Sequence, residues 1–110
     1  MERQYIITEF FRTLNCLKWE PLETFIDECS IMRIPGHVKV SRNEIIDYFK
    51  LYLQDLDNLQ IHIQEITVNE HSIWVYTDVM PHELPHYTAF WAFKFNAENK
   101  IVMLKLYTDL

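Results

Sequence analysis

The chain has 110 residues, 49% hydrophobic and 15% aromatic, with 16 acidic and 10 basic side chains and a formal net charge of -6. A single domain of this size buries roughly two thirds of its unfolded surface without disulfides, and the scattered Lys and Arg form no basic stripe for a phosphate backbone, so nucleic acid is not an expected partner. One glycine excludes Gly-rich phosphate loops, dinucleotide fingerprints and a Gly-x-Ser-x-Gly nucleophile elbow. Two cysteines, Cys16 and Cys29, are too few for a disulfide framework or a thiolate zinc site, and each is expected as a buried small hydrophobe rather than a reactive thiol. The start, "MERQYIITEFF", has no signal-peptide core, and no stretch approaches the roughly 20 apolar residues of a membrane span. A reduced, cytoplasmic setting with no membrane contact is the expectation.

Ile6, Ile7, Phe10, Phe11, Leu14 and Leu17 recur at helical spacing and predict an amphipathic first helix. Pro21 suits the first turn of a second, short helix whose apolar stripe is Leu22, Phe25, Ile26 and Cys29. "IMRIPGHVKV" reads as two short strands joined by Pro35-Gly36, a type II turn with glycine where φ must be positive. Ser41 and Glu44 form a capping box that opens a third helix burying Ile45, Ile46, Phe49, Leu53 and Leu56. From Leu59 the period becomes two. Ile61 and Ile63 alternate, and Ile66 and Val68 alternate out of phase with them, which predicts a bulge near Gln64 and Glu65. Further strands are expected over 73–80, 87–95 and 101–108. There is no repeat or linker, so residues 1–110 read as one α+β domain, three helices and a hairpin followed by an antiparallel meander.

Residues 82–86, "HELPH", fit the zinc-protease pattern His-Glu-x-x-His, which needs both imidazoles on one helical face with the Glu poised to activate a metal-bound water. Pro85 would clash with the carbonyl of Pro81 in any such helix, and the segment lies between two strands. His82, Glu83 and His86 therefore read as a chance match in a solvated loop. The sharper alternative is two imidazoles gripping a metal from a hairpin.

Three stretches, "WEPLETFIDECSIMRIPG", "SRNEIIDYFKLYL" and "FWAFKFNAENKIVMLKLY", resemble in order and spacing the superfamily of nuclear transport factor 2, ketosteroid isomerase and the SnoaL-like polyketide cyclases. The resemblance covers nearly the whole chain, although Arg42 stands where many members have Gly. It implies a strongly curved antiparallel sheet wrapped around three helices, a cone-shaped, cystatin-like α+β roll with a pocket at its wide end. Ketosteroid isomerase moves a proton with an Asp base, supported by a Tyr and a protonated Asp. By the resemblance those positions fall at Ile34, Phe10 and Trp91, none of which exchanges a proton at neutral pH, so that chemistry is not expected. The cyclases place an acid near Leu106 or Thr108. Asp109 is close, but its parity puts it across the strand from Leu104, Leu106 and Thr108.

The resemblance puts Trp91, Leu104 and Thr108 on the pocket face, and period two adds Ala89, Phe93, Val102 and Leu106. With Phe10, Leu14, Ile34 and Phe49, and with Trp74 and Tyr76 from the neighbouring strand, these outline an apolar ligand pocket. Two readings stay open: a cavity for a small, largely apolar molecule, or a core that Trp91 and its neighbours simply fill. No cofactor is called for. Catalytic residues are unassigned beyond Asp78, which alternates with Trp74 and Tyr76, and His37 beside the Pro-Gly turn; His62 reads as solvent-facing. The opposite sheet face is also apolar, through Thr88, Phe90, Ala92, Ile101, Met103 and Tyr107, although a meander normally wets one side. Such a patch marks an interface, and family members commonly dimerise through this face, so a two-fold homodimer is expected through Phe90, Ala92, Met103 and Tyr107. The leading functional reading is a dimer that binds a small apolar molecule, with cyclase, isomerase or dehydratase-type chemistry. The rival is a non-catalytic dimerisation or protein-interaction module with a filled pocket.

Overall fold

The computed structural model describes residues 3–55 and 59–108. Its elements are α1 (Arg3–Asn15), α2 (Trp19–Glu23), β1 (Ile26–Ile34), β2 (His37–Val40), α3 (Arg42–Asp55), β3 (Gln60–Val68), β4 (Ile73–Met80), β5 (Tyr87–Phe95) and β6 (Ile101–Leu106). Strand order is β2-β1-β6-β5-β4-β3, and every pairing is antiparallel except β1 with β6. The sheet is curved and unclosed, with three helices against it, an α+β cone. Leu56 and Asp109 lie outside the described residues.

Local chemistry accounts for most boundaries. In α1, Ile6, Ile7, Phe10, Phe11 and Leu14 face the core at the predicted spacing. Leu17 does not continue the stripe. The Lys18 amide donates to the Thr13 carbonyl (2.9 Å) and the Leu17 amide to that of Leu14 (3.1 Å), while Leu17 adopts φ +56°. This is a Schellman closure with leucine at the position glycine usually takes, and it leaves Leu17 48% exposed. Asn15, just before it, holds α1 to the edge strand β3: its amide donates to the Ile61 carbonyl and its carbonyl accepts from the Ile61 amide, both at 2.8 Å.

The second helix is shorter than its apolar stripe suggested. Strand β1 starts at Ile26, where the Phe25 carbonyl accepts from the Ile101 amide (2.8 Å) and draws the chain into the sheet. Cys29 is thereby a strand residue, and both cysteines are free and exposed rather than buried. Gly36 takes φ +78° in the two-residue turn between Ile34 and His37, as a type II turn requires. Ser41 caps α3 through its Oγ, which accepts from the Glu44 amide (3.4 Å). The reciprocal half of the box is not made, because the Ser41 amide donates to the Ser30 carbonyl instead (2.9 Å).

Two bulges set the phase of the β3–β6 meander, and a further register shift lies in β1 between Ile26 and Ile31. One bulge lies between Ile63 and Glu65, where the alternation had pointed. The other lies between Lys94 and Phe95, so that Phe95 pairs with Ile101 while Phe93 pairs with Leu104. It reverses the expected sides at the start of β6: Ile101 is buried in the core and Val102 is only half-buried. Residues 82–86 form an exposed loop in which Glu83 has φ +63°, a backbone no α-helix contains.

Candidate functional site

The cone interior is lined by side chains from α1, α3, β1, β5 and β6. Phe10 and Phe11 project from α1, Phe49 from α3, and Trp91 and Phe93 from β5. Their rings meet mostly edge to face, with centroids 5.0 Å apart for Phe11–Trp91 and 5.3 Å for Phe10–Phe93. Phe49 stacks on Trp91 at 6.4 Å. Such pairs add to the burial of large apolar surface. Phe10, Leu14, Phe49, Trp91 and Phe93 have no exposed surface, and Leu104 and Leu106 have 1%. Trp91 lies among these rings in the interior, within ring contact of Phe10, Phe11, Phe49 and Phe93.

The indole brings one polar group into this interior, and β4 satisfies it. Trp91 Nε1 donates to Thr77 Oγ1 (3.0 Å), and Thr77 Oγ1 donates to the Ala89 carbonyl (3.2 Å). Thr77 is fully buried. Sequence reasoning missed it because Trp74 and Tyr76 were assigned to the inner face. The register Val75↔Trp91 and Thr77↔Ala89 places the odd residues of β4 inside and the even ones outside. Trp74 and Tyr76 consequently line no interior pocket; they stand on the outer face, where Trp74 stacks on Tyr107 (5.4 Å) and Tyr76 on Phe90 (4.6 Å).

The titratable candidates are dispersed around this interior. Asp78 is half-buried on the outer side, paired in register with His62 and Thr88. His37 is exposed at the start of β2, and Ile34 is 7% exposed at the end of β1. Thr108 is half-buried in the bend after β6. In the exposed 82–86 loop, His82 Nε2 lies 3.7 Å from Glu83 Oε1. Among the described residues, no group of three or more His, Cys, Asp or Glu side chains is placed to hold a metal ion.

Two recesses stand out, the first at the margin of the cone interior and the second on the outer face. One, of roughly 250 Å³, lies between the first turn of α1 (Arg3, Gln4) and the β3–β4 turn, with Ile73, Phe93 and Phe95 at its base. The Arg3 guanidinium is already engaged there, 5.3 Å above the Phe95 ring and donating to Asn99 Oδ1 (3.0 Å). The other, of roughly 310 Å³, is an aromatic slot beside the first bulge, formed by Glu65, Thr67, Trp74, Tyr76 and Phe90. On the same face Ala92 is 3% exposed beside Trp74, whereas Phe90, Tyr107 and, at the β2 edge, Val38 and Val40 are 42–53% exposed. Lys105 Nζ lies 4.6 Å over the Tyr107 ring.

No known protein-family profile matches the chain, and no curated protein matches it by sequence. Solved structures do. The epoxide hydrolase/cyclase-like enzyme SalBIII superposes with TM-score 0.83 at 18% identity over 98% of this chain and 91% of its own. A nuclear transport factor 2-like protein of unknown function from Cytophaga hutchinsonii gives 0.81 at 11% identity over 99% and 91%. A ketosteroid isomerase-like protein from Kribbella flavida gives 0.85 at 12% identity over 98% and 78%. The chain has the nuclear transport factor 2-like fold, which SnoaL-like cyclases and ketosteroid isomerase-like proteins share.

Proposed function

We propose that this chain is a non-catalytic dimerisation module, its cone filled by its own side chains and its outer sheet face joined to a second copy. The observation that carries the reading is Trp91, fully buried against Phe10, Phe11, Phe49 and Phe93 where a ligand would otherwise sit. Ligand-binding or cyclase-type chemistry, which the name of SalBIII and its part in pyran ring formation suggest, needs an open interior and an acid or base facing it. The positions nearest that role here are Phe10, Ile34 and Trp91, and Asp78 and His62 belong to the outer face. On that face Phe90, Tyr107, Trp74 and Tyr76 supply the large aromatic surface typical of an interface centre. The free Cys16 and Cys29 suit a reduced, cytoplasmic setting. Sedimentation equilibrium of wild type and Phe90→Glu tests the reading: wild type should dimerise and the variant should be monomeric. A variant that dimerises as tightly as wild type would place the interface elsewhere.

A further inference from the structure

Resting on that dimer reading, we infer that the two copies pack about a two-fold axis running along the strands, so that Glu65 of each copy faces Arg33 and Lys105 of the other. The argument starts from how charge is distributed over the outer face. Register fixes which residues point outward, and among them the acids and bases separate by strand. Glu65 on β3 and Asp78 on β4 are acidic, and β3 and β4 carry no outward Lys or Arg at their paired positions, where His62 faces out beside Asp78. Lys94 on β5, Lys105 on β6 and Arg33 on β1 are basic, with no outward acid between them at the paired positions. The aromatic centre, with Phe90 and Tyr107, lies between the two sides.

A face-to-face dimer of such a sheet has two simple choices of axis. With the axis across the strands, each strand lies over its own copy, which sets Glu65 and Asp78 over their like and Arg33 and Lys105 over theirs. Like charges brought together in this way oppose association. With the axis along the strands, the β3 side of one copy lies over the β6 and β1 side of the other, and acid meets base at both ends of the interface. Strand order puts β3 three spacings from β6 and four from β1, roughly 14 and 19 Å. These distances straddle the aromatic centre, as an isologous pairing requires.

Local geometry favours the same partners. Glu65 shares a cross-strand row with Tyr76 and Phe90, while Lys105 and Arg33 share the next row with Ala92 and Trp74. One step along the pleat separates the rows, about 7 Å, which long basic side chains span. None of the three makes an ion pair within its own chain among the described residues. The aromatic slot edged by Glu65 offers Trp74, Tyr76 and Phe90 to an incoming cation. Lys105 already rests on an aromatic ring of its own chain.

The test is the dimer dissociation constant of complementary charge-reversal variants, measured by sedimentation equilibrium at low and high salt. Glu65→Lys alone, and Arg33→Glu with Lys105→Glu, should each weaken the homodimer about tenfold or more. An equimolar mixture of the two should form a heterodimer within about threefold of the wild-type constant, since every reversed pair is attractive again. The neutral variants Glu65→Gln and Lys105→Gln, too mild to unfold exposed or half-exposed positions, should each weaken the dimer a few-fold and flatten its salt dependence. If the reversals leave the constant unchanged, if the mixture restores nothing while the neutral variants keep the wild-type salt dependence, or if those variants alone behave as wild type, the axis is wrong and the dimer stands. A wild type that is monomeric throughout overturns both the axis and the dimer reading.

Discussion

Replacing Trp91 with alanine should turn a filled interior into an open one. The indole is fully buried, touches the rings of Phe10, Phe11, Phe49 and Phe93, and donates one hydrogen bond to Thr77. Removing a core Trp costs about 3–5 kcal/mol, transfer and cavity terms together. Four ring neighbours with little freedom to collapse place this site in the upper half of that range. A loss of about 4 kcal/mol should lower Tm by roughly 15–25 °C in a domain of this size. The hole has the shape of the deleted group, and Thr77 Oγ1 remains as its acceptor. Added indole should therefore bind Trp91→Ala and recover about 2.7 kcal/mol at a hundred times its dissociation constant, while leaving wild type unmoved. Thermal unfolding with and without indole reads both effects. A loss under about 1 kcal/mol, or stabilisation of wild type by indole, would refute the claim that Trp91 fills the interior.

Thr77→Val keeps the shape of the side chain but leaves Trp91 Nε1 without its acceptor, so urea unfolding should show a loss of about 1–3 kcal/mol. Adding Trp91→Phe removes the orphaned donor as well, and the double variant should lose roughly 1 kcal/mol less than the sum of the two singles. Asn15→Ala deletes both bonds to the Ile61 main chain. It should cost about 1–3 kcal/mol and speed hydrogen exchange of the Ile61 amide more than that of amides in β5. Leu17→Gly removes the cost of a left-handed leucine at an exposed position, so its unfolding midpoint should rise, by up to about 1 kcal/mol in stability.

Where a rule is local, the sequence announces the structure. The stripe Ile6–Leu14, the Pro35-Gly36 turn, the Ser41 cap and the phase break before Glu65 each depend on residues within a few positions, and each is where the pattern put it. Where the outcome depends on pairing with a distant strand, it does not. In β4 both alternations are apolar, Ile73, Val75 and Val79 on one side and Trp74 and Tyr76 on the other. Only the register with β5 decides which side is inside. The larger rings were the natural choice for the core, yet the sheet spends them on its outer face. Ile101 and Val102 exchange sides for a similar reason: Lys94 pairs with Met103 and Phe95 with Ile101, so Val102 is the extra residue of a bulge in β6 that only the pairing with β5 reveals. Thr77 was hidden by the same ambiguity, since a lone threonine within an apolar alternation carries no sign that it serves a buried indole. Phe10, Leu14, Ile34, Phe49, Trp91, Phe93, Leu104 and Leu106 lie in one buried core cluster. Whether they enclose space or consume it is a matter of packing, which the sequence does not show.

Native mass spectrometry of protein purified without added ligand tests the account most directly. A filled cone joined through its outer face predicts a species of twice the 13.4 kDa chain, carrying no additional mass. A dimer holding a further few hundred daltons would mean that the interior opens to a small molecule, and a bare monomer would mean that the outer aromatic face is not the interface claimed for it.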